Sequence, residues 1–288
     1  MENNRPKVSI IIPHYNQIEC LKRLLPSIAN QTFEDYEVII IDDATPDRSA
    51  VEHITTFIKD HRKMRLVQNA ENMRFIRTCN KGIGLAKGEY ICLLNSDTEM
   101  KGNFIERNVE ILDADGSIGG LSCILVDQEG KNWFTGGSFK RGLPVNLTDD
   151  FEGIRAVDFV AGTAPFYRRE VFDRIGFFDE NYHMYHEDVE FGLRLRAETN
   201  YKACMFPEKL VVHFLVSSIP KPEVYYFRYR NYMLLLRKYN PTHLPVMFLY
   251  ILLAIISLLT FRLSRRSLDY VTYTIKGTLH GLVSRQSE

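Results

Sequence analysis

The sequence predicts an α/β protein on a doubly wound, largely parallel sheet, and three observations carry that prediction. Residues 8–12 and 36–41 are β-branched apolar runs that end in Pro13 and in Asp42 with Asp43. Runs without alternation belong to strands covered on both faces. Between them Cys20, Leu21, Leu24, Leu25 and Ile28 fall at helical spacing, so the first unit reads strand, helix, strand and its strands lie parallel. The same alternation then repeats.

Ser49 stands as the cap of a helix reaching about residue 60, residues 65–68 form a third strand, 75–86 a helix and 90–94 a fourth strand. Ligands of doubly wound sheets sit beyond the carboxyl ends of the strands. The polar stretches 13–17, 42–47 and 95–98 each follow a strand, so they are expected to meet at one crevice. After a helix at 103–113 the order becomes mixed. A strand at 118–126, a glycine-rich stretch around Gly136 and Gly137, and a strand at 157–161 predict antiparallel pairing in the second half. From Tyr225 onward an aromatic and basic stretch, followed by an apolar run at 244–261, marks a separate C-terminal module.

Composition bounds the function. With 45% hydrophobic and 25% charged residues, the 288-residue chain has apolar material for one large core and an appendage, which argues against disorder. Its 36 basic and 36 acidic residues cancel, so no bulk field draws it to nucleic acid. The five cysteines are odd in number and show no Cys-x-x-Cys spacing, which fits buried thiols in a reducing compartment. The first strand follows Lys7 without an apolar signal segment, and the bulk of the protein is expected to stay in the cytosol.

Four groups of polar residues carry candidate chemistry. Asn95, Ser96 and Asp97 close a buried run, where Asp97 either ligates a cation or caps the next helix. Mg²⁺ and Mn²⁺ take oxygen ligands, often only one or two carboxylates, and complete their shells with substrate phosphates and water. Asp42 and Asp43 either make a turn or accept hydrogen bonds from the base and ribose of a nucleotide. Glu187 and Asp188 lie among His183, His186 and Glu190, as a solvated acidic helix start or as a base beside a second functional carboxylate. Being adjacent, they are expected to point in different directions and need not share one proton. His213 ends the apolar run 210–212, as a satisfied core histidine or as a second ligand with Asp97.

Taken in order, these residues resemble the family 2 glycosyltransferases of the GT-A fold, in particular the rhamnosyl- and galactofuranosyltransferase-like members, over residues 7–238. The likeness is carried by residues 8–13 with Tyr15 and Asn16, by Ile41, Asp42, Asp43, Ala44 and Thr45, and by Asn72, Asn80, Lys81 and Gly82. Gly88, Glu89 and Tyr90 then lead into Asn95, Ser96 and Asp97. The second half adds Gly162, residues 176–180, Glu187, Asp188 and His213. The resemblance implies a GT-A (Rossmann-like) mixed sheet flanked by helices over 1–224, with a nucleotide-binding part at 1–100 and an acceptor part at 101–224. It implies that Asp97 is the metal-contacting carboxylate of a degenerate Asp-x-Asp motif, that His213 is the metal-binding histidine, and that Asp42 and Asp43 hold base and ribose. Pro13, Tyr15, Asn16, Arg74, Asn80, Asn95 and Ser96 complete the nucleotide-sugar side, Gly162 and Glu187 the acceptor side, and Asp188 is the catalytic base. Arg74 departs from the pattern, standing where a glycine is usual before Phe75, with its guanidinium either on the diphosphate or in solvent.

The activity so implied is that of an inverting, metal-dependent hexosyltransferase using Mn²⁺ or Mg²⁺. It would move a sugar from a UDP- or dTDP-sugar to a saccharide or lipid-linked saccharide in cell-surface polysaccharide synthesis. One displacement with Asp188 as base needs no covalent nucleophile, and the sequence has no nucleophilic Ser or Cys motif. A glycoside hydrolase also uses two carboxylates, but has no use for nucleotide-type loops after the first strands. A sugar nucleotidyltransferase would place a glycine-rich basic loop where this chain has Pro13, His14, Tyr15 and Asn16. A noncatalytic nucleotide-binding, membrane-associated protein of the same fold would have no need of Asp188.

Residues 225–288 are expected to associate with a membrane, or else to pack on the catalytic domain or on a second subunit of a homodimer. The run 244–261 is uncharged and roughly 27 Å long as a helix, near the minimum for a span. Arg237 and Lys238 before it and Arg262, Arg265 and Arg266 after it favour both ends on the cytoplasmic side, hence a hairpin or an interfacial helix. Leu268, Val271, Ile275, Leu279 and Leu282 predict an amphipathic helix over 267–285. Tyr225, Tyr226, Phe227 and Tyr229, interleaved with Arg228 and Arg230, predict an interfacial belt. The expected location is the cytoplasmic side of the cell membrane, peripheral or hairpin-anchored.

Overall fold

A computed structural model describes residues 5–214, 221–260 and 265–284. Its centre is one ten-stranded sheet. β1 (Val8–His14) pairs in parallel with β2 (Tyr36–Asp42) on one side and with β4 (Tyr90–Leu93) on the other, and β2 pairs in parallel with β3 (Met64–Gln68). All of β1 is buried, which is why its sequence shows no alternation. The crossovers are α1 (Ile18–Ala29), α2 (Arg48–Lys59) and α3 (Phe75–Leu85). Leu21, Leu24, Leu25 and Ile28 of α1 enter the core as their spacing predicts. Because Gly82 has no Cβ, α3 lies flush on the sheet: a methyl there would sit 2.3 Å from Ile11 Cγ2.

The spatial order β3-β2-β1-β4 makes the chain step outward from β1 and then return to its other side. That reversal is the switch point at which doubly wound sheets open a crevice. It sets the loop after β1 beside the loop after β4.

Beyond β4 the sheet is mixed, as expected. β11 (Phe166–Arg168) runs antiparallel to β4 and to β6 (Ile118–Val126). β6 pairs in parallel with β12 (Lys202–His213) and antiparallel with β7 (Asn132–Phe134). β12 pairs antiparallel with β10 (Arg155–Val157) and with β5 (Thr98–Met100). β8 (Gly136–Lys140) and β9 (Leu143–Leu147) form a separate hairpin, and α4 (Phe104–Ala114), α5 (Arg169–Ile175) and α6 (Glu187–Glu198) complete this half.

Several details differ from the sequence reading. The cap of α2 is Asp47, whose carboxylate accepts the Ser49 N–H at 2.9 Å, so Ser49 lies inside the first turn. Residues 98–100 form a strand, invisible as a pattern because it is three residues long with two polar ones. The strand expected at 157–161 is instead Arg155–Val157, with Phe159 making only a bridge to Gly137. β12 starts well before residue 210, and register shifts between Phe206 and Val211, around Pro207, break up its apolar pattern.

At the C-terminus α7 (Pro222–Tyr239), α8 (Leu244–Thr260) and α9 (Arg265–Val283) follow. The boundary expected at 224/225 falls within the first turn of α7, and Leu234 and Leu235 of that helix belong to the main core. The expected belt turns inward in part. Arg230 and Asn231 are buried, Phe227 meets the His183 ring edge-on and Tyr225 meets Tyr270 edge-on. α9 meets α7 through small residues: a Cβ on Gly277 or Gly281 would come within 2.3 Å of the Tyr226 or Arg230 carbonyl. Val271 and Thr278 are buried, whereas Leu268 and Leu279 of the predicted apolar stripe remain exposed. Among the described residues no helix is long and apolar enough to cross a membrane. Phe261, Arg262 and Arg285, which the sequence reading used, lie outside the described residues.

Candidate active site

A cavity of about 640 Å³ opens at the carboxyl ends of β1 and β4. Pro13, His14, Tyr15 and Gln17 line it from the β1 side, Asn95, Ser96 and Asp97 from the β4 side, Asn72, Arg74, Phe75 and Thr78 from the start of α3, and Asp43, His183 and Met184 close it. The three polar loops expected to converge do so.

Asp97 and His213 are brought together by the pairing of β5 with β12, in which His213 stands opposite Thr98. His213 Nε2 lies 3.4 Å from Asp97 Oδ1, and the Phe214 N–H donates to the Asp97 carbonyl at 2.8 Å. Trp133 packs edge-on against the His213 ring at 4.4 Å between centroids and so fixes its plane. His213 Nδ1 and Asp97 Oδ1 are buried without a hydrogen-bond partner. One carboxylate with an unpartnered oxygen, faced by an imidazole nitrogen, suits a divalent cation that draws its other ligands from phosphate and water. Among the described residues no cluster of three or more His, Cys, Asp or Glu could hold a metal by itself.

The two aspartates at the end of β2 divide their work. Asp42 is buried away from the cavity, where it accepts the Thr45 N–H at 3.2 Å and the Gln68 amide at 3.5 Å. Asp43 reaches the wall. Its carboxylate accepts the Met73 and Arg74 N–H groups at 2.8 and 2.9 Å and the Asn69 amide at 2.7 Å, so it shapes the loop that carries Arg74. Asn80 does not reach the cavity. Its amide exchanges hydrogen bonds with the Phe178 backbone at 2.9 and 3.1 Å and staples α3 to the turn before α6. Asn16 is exposed, with positive φ, and its N–H donates to Thr45 Oγ1 at 3.0 Å.

Glu187 and Asp188 open α6 and are both half-buried against Gly162, which has no side chain to keep them away. The Gly162 N–H donates to Asp188 Oδ2 at 3.1 Å, and the Val189 N–H to Asp188 Oδ1 at 2.8 Å. Burial pushes Glu187 well above the usual carboxylate range, and the neighbouring Asp188 charge adds to the effect. Burial raises Asp188 too, against the pull of the Gly162 and Val189 N–H groups. The shared desolvated space beside Gly162 raises both carboxyls, Glu187 in part through the neighbouring Asp188 charge. Next to Gly162, the Thr163 carbonyl accepts the Asn95 N–H at 2.9 Å, so one short backbone bridge joins the loop of Asp97 to that of Asp188.

Three contributors were not singled out individually by the sequence, although two of them lie in the polar stretch 13–17 expected at the crevice. Gln17 accepts a hydrogen bond from the Ser96 hydroxyl and ties the two strand-end loops. Met184 lines the cavity from a different part of the chain. His14 is buried with neither ring nitrogen partnered, and burial pushes its pKa down while Asp42 opposes the shift. Only its place at the end of an apolar strand could have drawn notice.

The profile of Glycosyl transferase family 2 matches residues 9–176. An uncharacterized glycosyltransferase of Haemophilus influenzae is 27% identical over 221 residues, covering 74% of this chain and 66% of that protein. The amylovoran biosynthesis glycosyltransferase AmsB of Erwinia amylovora is 26% identical over 215 residues, covering 73% and 70%. Among solved structures, S. aureus TarS 1-349 in complex with UDP-GlcNAc superposes with a TM-score of 0.61 at 19% identity, covering 81% of this chain and 67% of that one. GalNAc-T7 with UDP, GalNAc and Mn²⁺ gives 0.66 at 19% identity, covering 82% and 48%. The chain thus spans just under two thirds of the first relative and less than half of the GalNAc-T7 chain. At such identity the solved structures speak to the fold, while the profile takes in the loops after β1, β2 and β4. By that match and that architecture, the chain belongs to glycosyl transferase family 2 and has the GT-A fold.

Proposed function

We propose that this protein is an inverting glycosyltransferase that moves a sugar from a UDP- or dTDP-sugar to a saccharide or lipid-linked saccharide in cell-surface polysaccharide synthesis. The observation that carries the reading is the cavity at the switch point, which Asp97 lines with His213 3.4 Å from its carboxylate, while the Asn95 N–H bridges to the Gly162–Thr163 segment against which the half-buried Glu187 and Asp188 are held. Amylovoran synthesis in AmsB and the UDP-GlcNAc of the TarS complex support the polysaccharide and nucleotide-sugar parts of the proposal.

Tyr15, Asp43 and Arg74 would hold the nucleotide. Asp97 and His213 would hold Mn²⁺ or Mg²⁺, as the Mn²⁺ with GalNAc-T7 supports, and that ion supplies positive charge opposite the leaving diphosphate. Asp188 would take the proton of the acceptor hydroxyl as its oxygen bonds to the anomeric carbon and the bond to the diphosphate breaks. Its raised pKa makes it a stronger base, and Gly162 N–H and Val189 N–H fix its orientation. Residues 225–288 would bring the site to the cytoplasmic surface of a membrane. Six apolar side chains of α8, from Val246 to Ile256, are exposed.

Calorimetry with UDP, dTDP and GDP, in Mn²⁺ and again in EDTA, tests the donor site. Tight binding of one nucleotide that depends on metal and disappears in Asp97→Ala is expected, with Asp188→Asn binding normally but turning over about 10²–10⁴-fold more slowly. A folded protein that binds none of the three nucleotides would overturn the reading.

A further inference from the structure

The segment that leads into Glu187 and Asp188 is held in an unfavourable shape. His183, Tyr185 and His186 all have positive φ, at 58°, 66° and 66°. Side chains with a Cβ avoid that region, and three such residues in four need an outside restraint. His186 is the residue immediately before α6, so its backbone angles set the direction in which Glu187 and Asp188 leave the helix start.

The restraint comes from α7. Asn231 is wholly buried, and its amide nitrogen lies 2.6, 2.7 and 2.9 Å from the carbonyl oxygens of Tyr182, Met184 and Tyr185. The two N–H groups of one amide thus lie within reach of three carbonyls that the irregular backbone turns inward, of which Tyr182's also accepts the Met184 N–H at 2.6 Å. Arg230 Nη1 donates to Asn231 Oδ1 at 2.9 Å and to the Asn181 carbonyl at 2.5 Å, so the amide is itself oriented. The same helix is tied to α6 further along: Lys238 and Tyr239 both contact the buried Glu190 carboxylate at 3.0 Å. His183 and Met184, on the restrained segment, line the cavity.

We propose that Arg230 and Asn231 are positioning residues, holding residues 181–186 in their strained form and thereby setting Glu187 and Asp188 against Gly162 and His183 and Met184 on the cavity wall. This rests on the transferase reading of Asp188. Without the restraint the segment relaxes toward negative φ, the start of α6 turns and the carboxylates leave their place.

The test compares full-length wild type with Asn231→Ala and with Met233→Ala, a buried neighbour on α7 that touches none of these carbonyls. Amide exchange over 182–188 is expected to rise at least about tenfold in Asn231→Ala and not in Met233→Ala at matched loss of Tm. Release of UDP from UDP-GlcNAc, or of dTDP from dTDP-rhamnose, is expected to fall about 10- to 100-fold in kcat with KM changed less than about threefold. Arg230→Met, which keeps the apolar stem but removes the nitrogen that makes both contacts, replaces Asn231→Ala should that variant not fold. Unchanged exchange, or an equal rise in Met233→Ala, overturns the proposal, as does faster exchange with wild-type kcat. Wild type that releases neither nucleotide counts against the transferase reading instead, and the exchange comparison then still decides whether α7 holds the segment.

Discussion

Arg74 has φ 70° and ψ 169°, a backbone region that is almost the preserve of glycine. The strain costs on the order of 1–3 kcal/mol, and Asp43 holds it in place by accepting the Arg74 N–H. Arg74→Gly is therefore expected to raise Tm by a few degrees while weakening nucleotide binding; Arg74→Ala, which keeps a Cβ, should weaken binding without the gain. Equal Tm changes in the two variants would refute the strain. Glu187 offers a second test at this scale. Because its folded-state pKa is raised, the folded protein keeps a proton that the unfolded chain releases, and stability falls as pH climbs from the ordinary carboxylate range toward the raised value. Glu187→Gln lacks that proton linkage. Its Tm relative to wild type should rise between pH 5 and pH 8, and a constant difference across that interval would count against the raised Glu187 pKa.

At the scale of elements, the first four strands and the helices between them were legible because their burial is written as uninterrupted apolar runs and helical spacing. Gly82 illustrates where two local effects compete. Alanine would improve helix propensity by about 1 kcal/mol, but its methyl would stand 2.3 Å from Ile11 and 2.9 Å from Ile41 side-chain atoms. Overpacking costs about 1–3 kcal/mol, so Gly82→Ala is expected to lower stability in a denaturant titration; a stabilised variant would mean that α3 stands further from β1. β5 and the bulged first part of β12 were not legible, because a three-residue strand has no period and Pro207 interrupts the other.

For the whole molecule, the question is what α8 faces. Val246, Phe248, Leu249, Leu252, Leu253 and Ile256 are exposed, and among the described residues no helix is long and apolar enough to cross a bilayer. If this face lies in a membrane surface, wild type co-sediments with vesicles of phosphatidylglycerol and phosphatidylcholine, and Leu249→Glu with Leu253→Glu reduces the bound fraction several-fold. Wild type that stays in the supernatant, yet sediments as a dimer that the double variant disrupts, would assign the face to a second subunit.

The sequence by itself determined the doubly wound first half, the three loops at its crevice and the family motifs, since each is a local pattern of burial or charge. The tertiary structure alone decided which of those residues work together. Asp97 meets His213 only through the β5 and β12 pairing, and Asp42 and Asn80 are drawn into structural hydrogen bonds. Glu187 and Asp188 share one desolvated space beside Gly162, and α7, whose composition suggests a separate module, contributes to the main core and restrains the segment before α6. The physical reason is the same in each case: these partners are far apart along the chain, and only the closed sheet and its packed helices bring their dipoles and charges within hydrogen-bond reach.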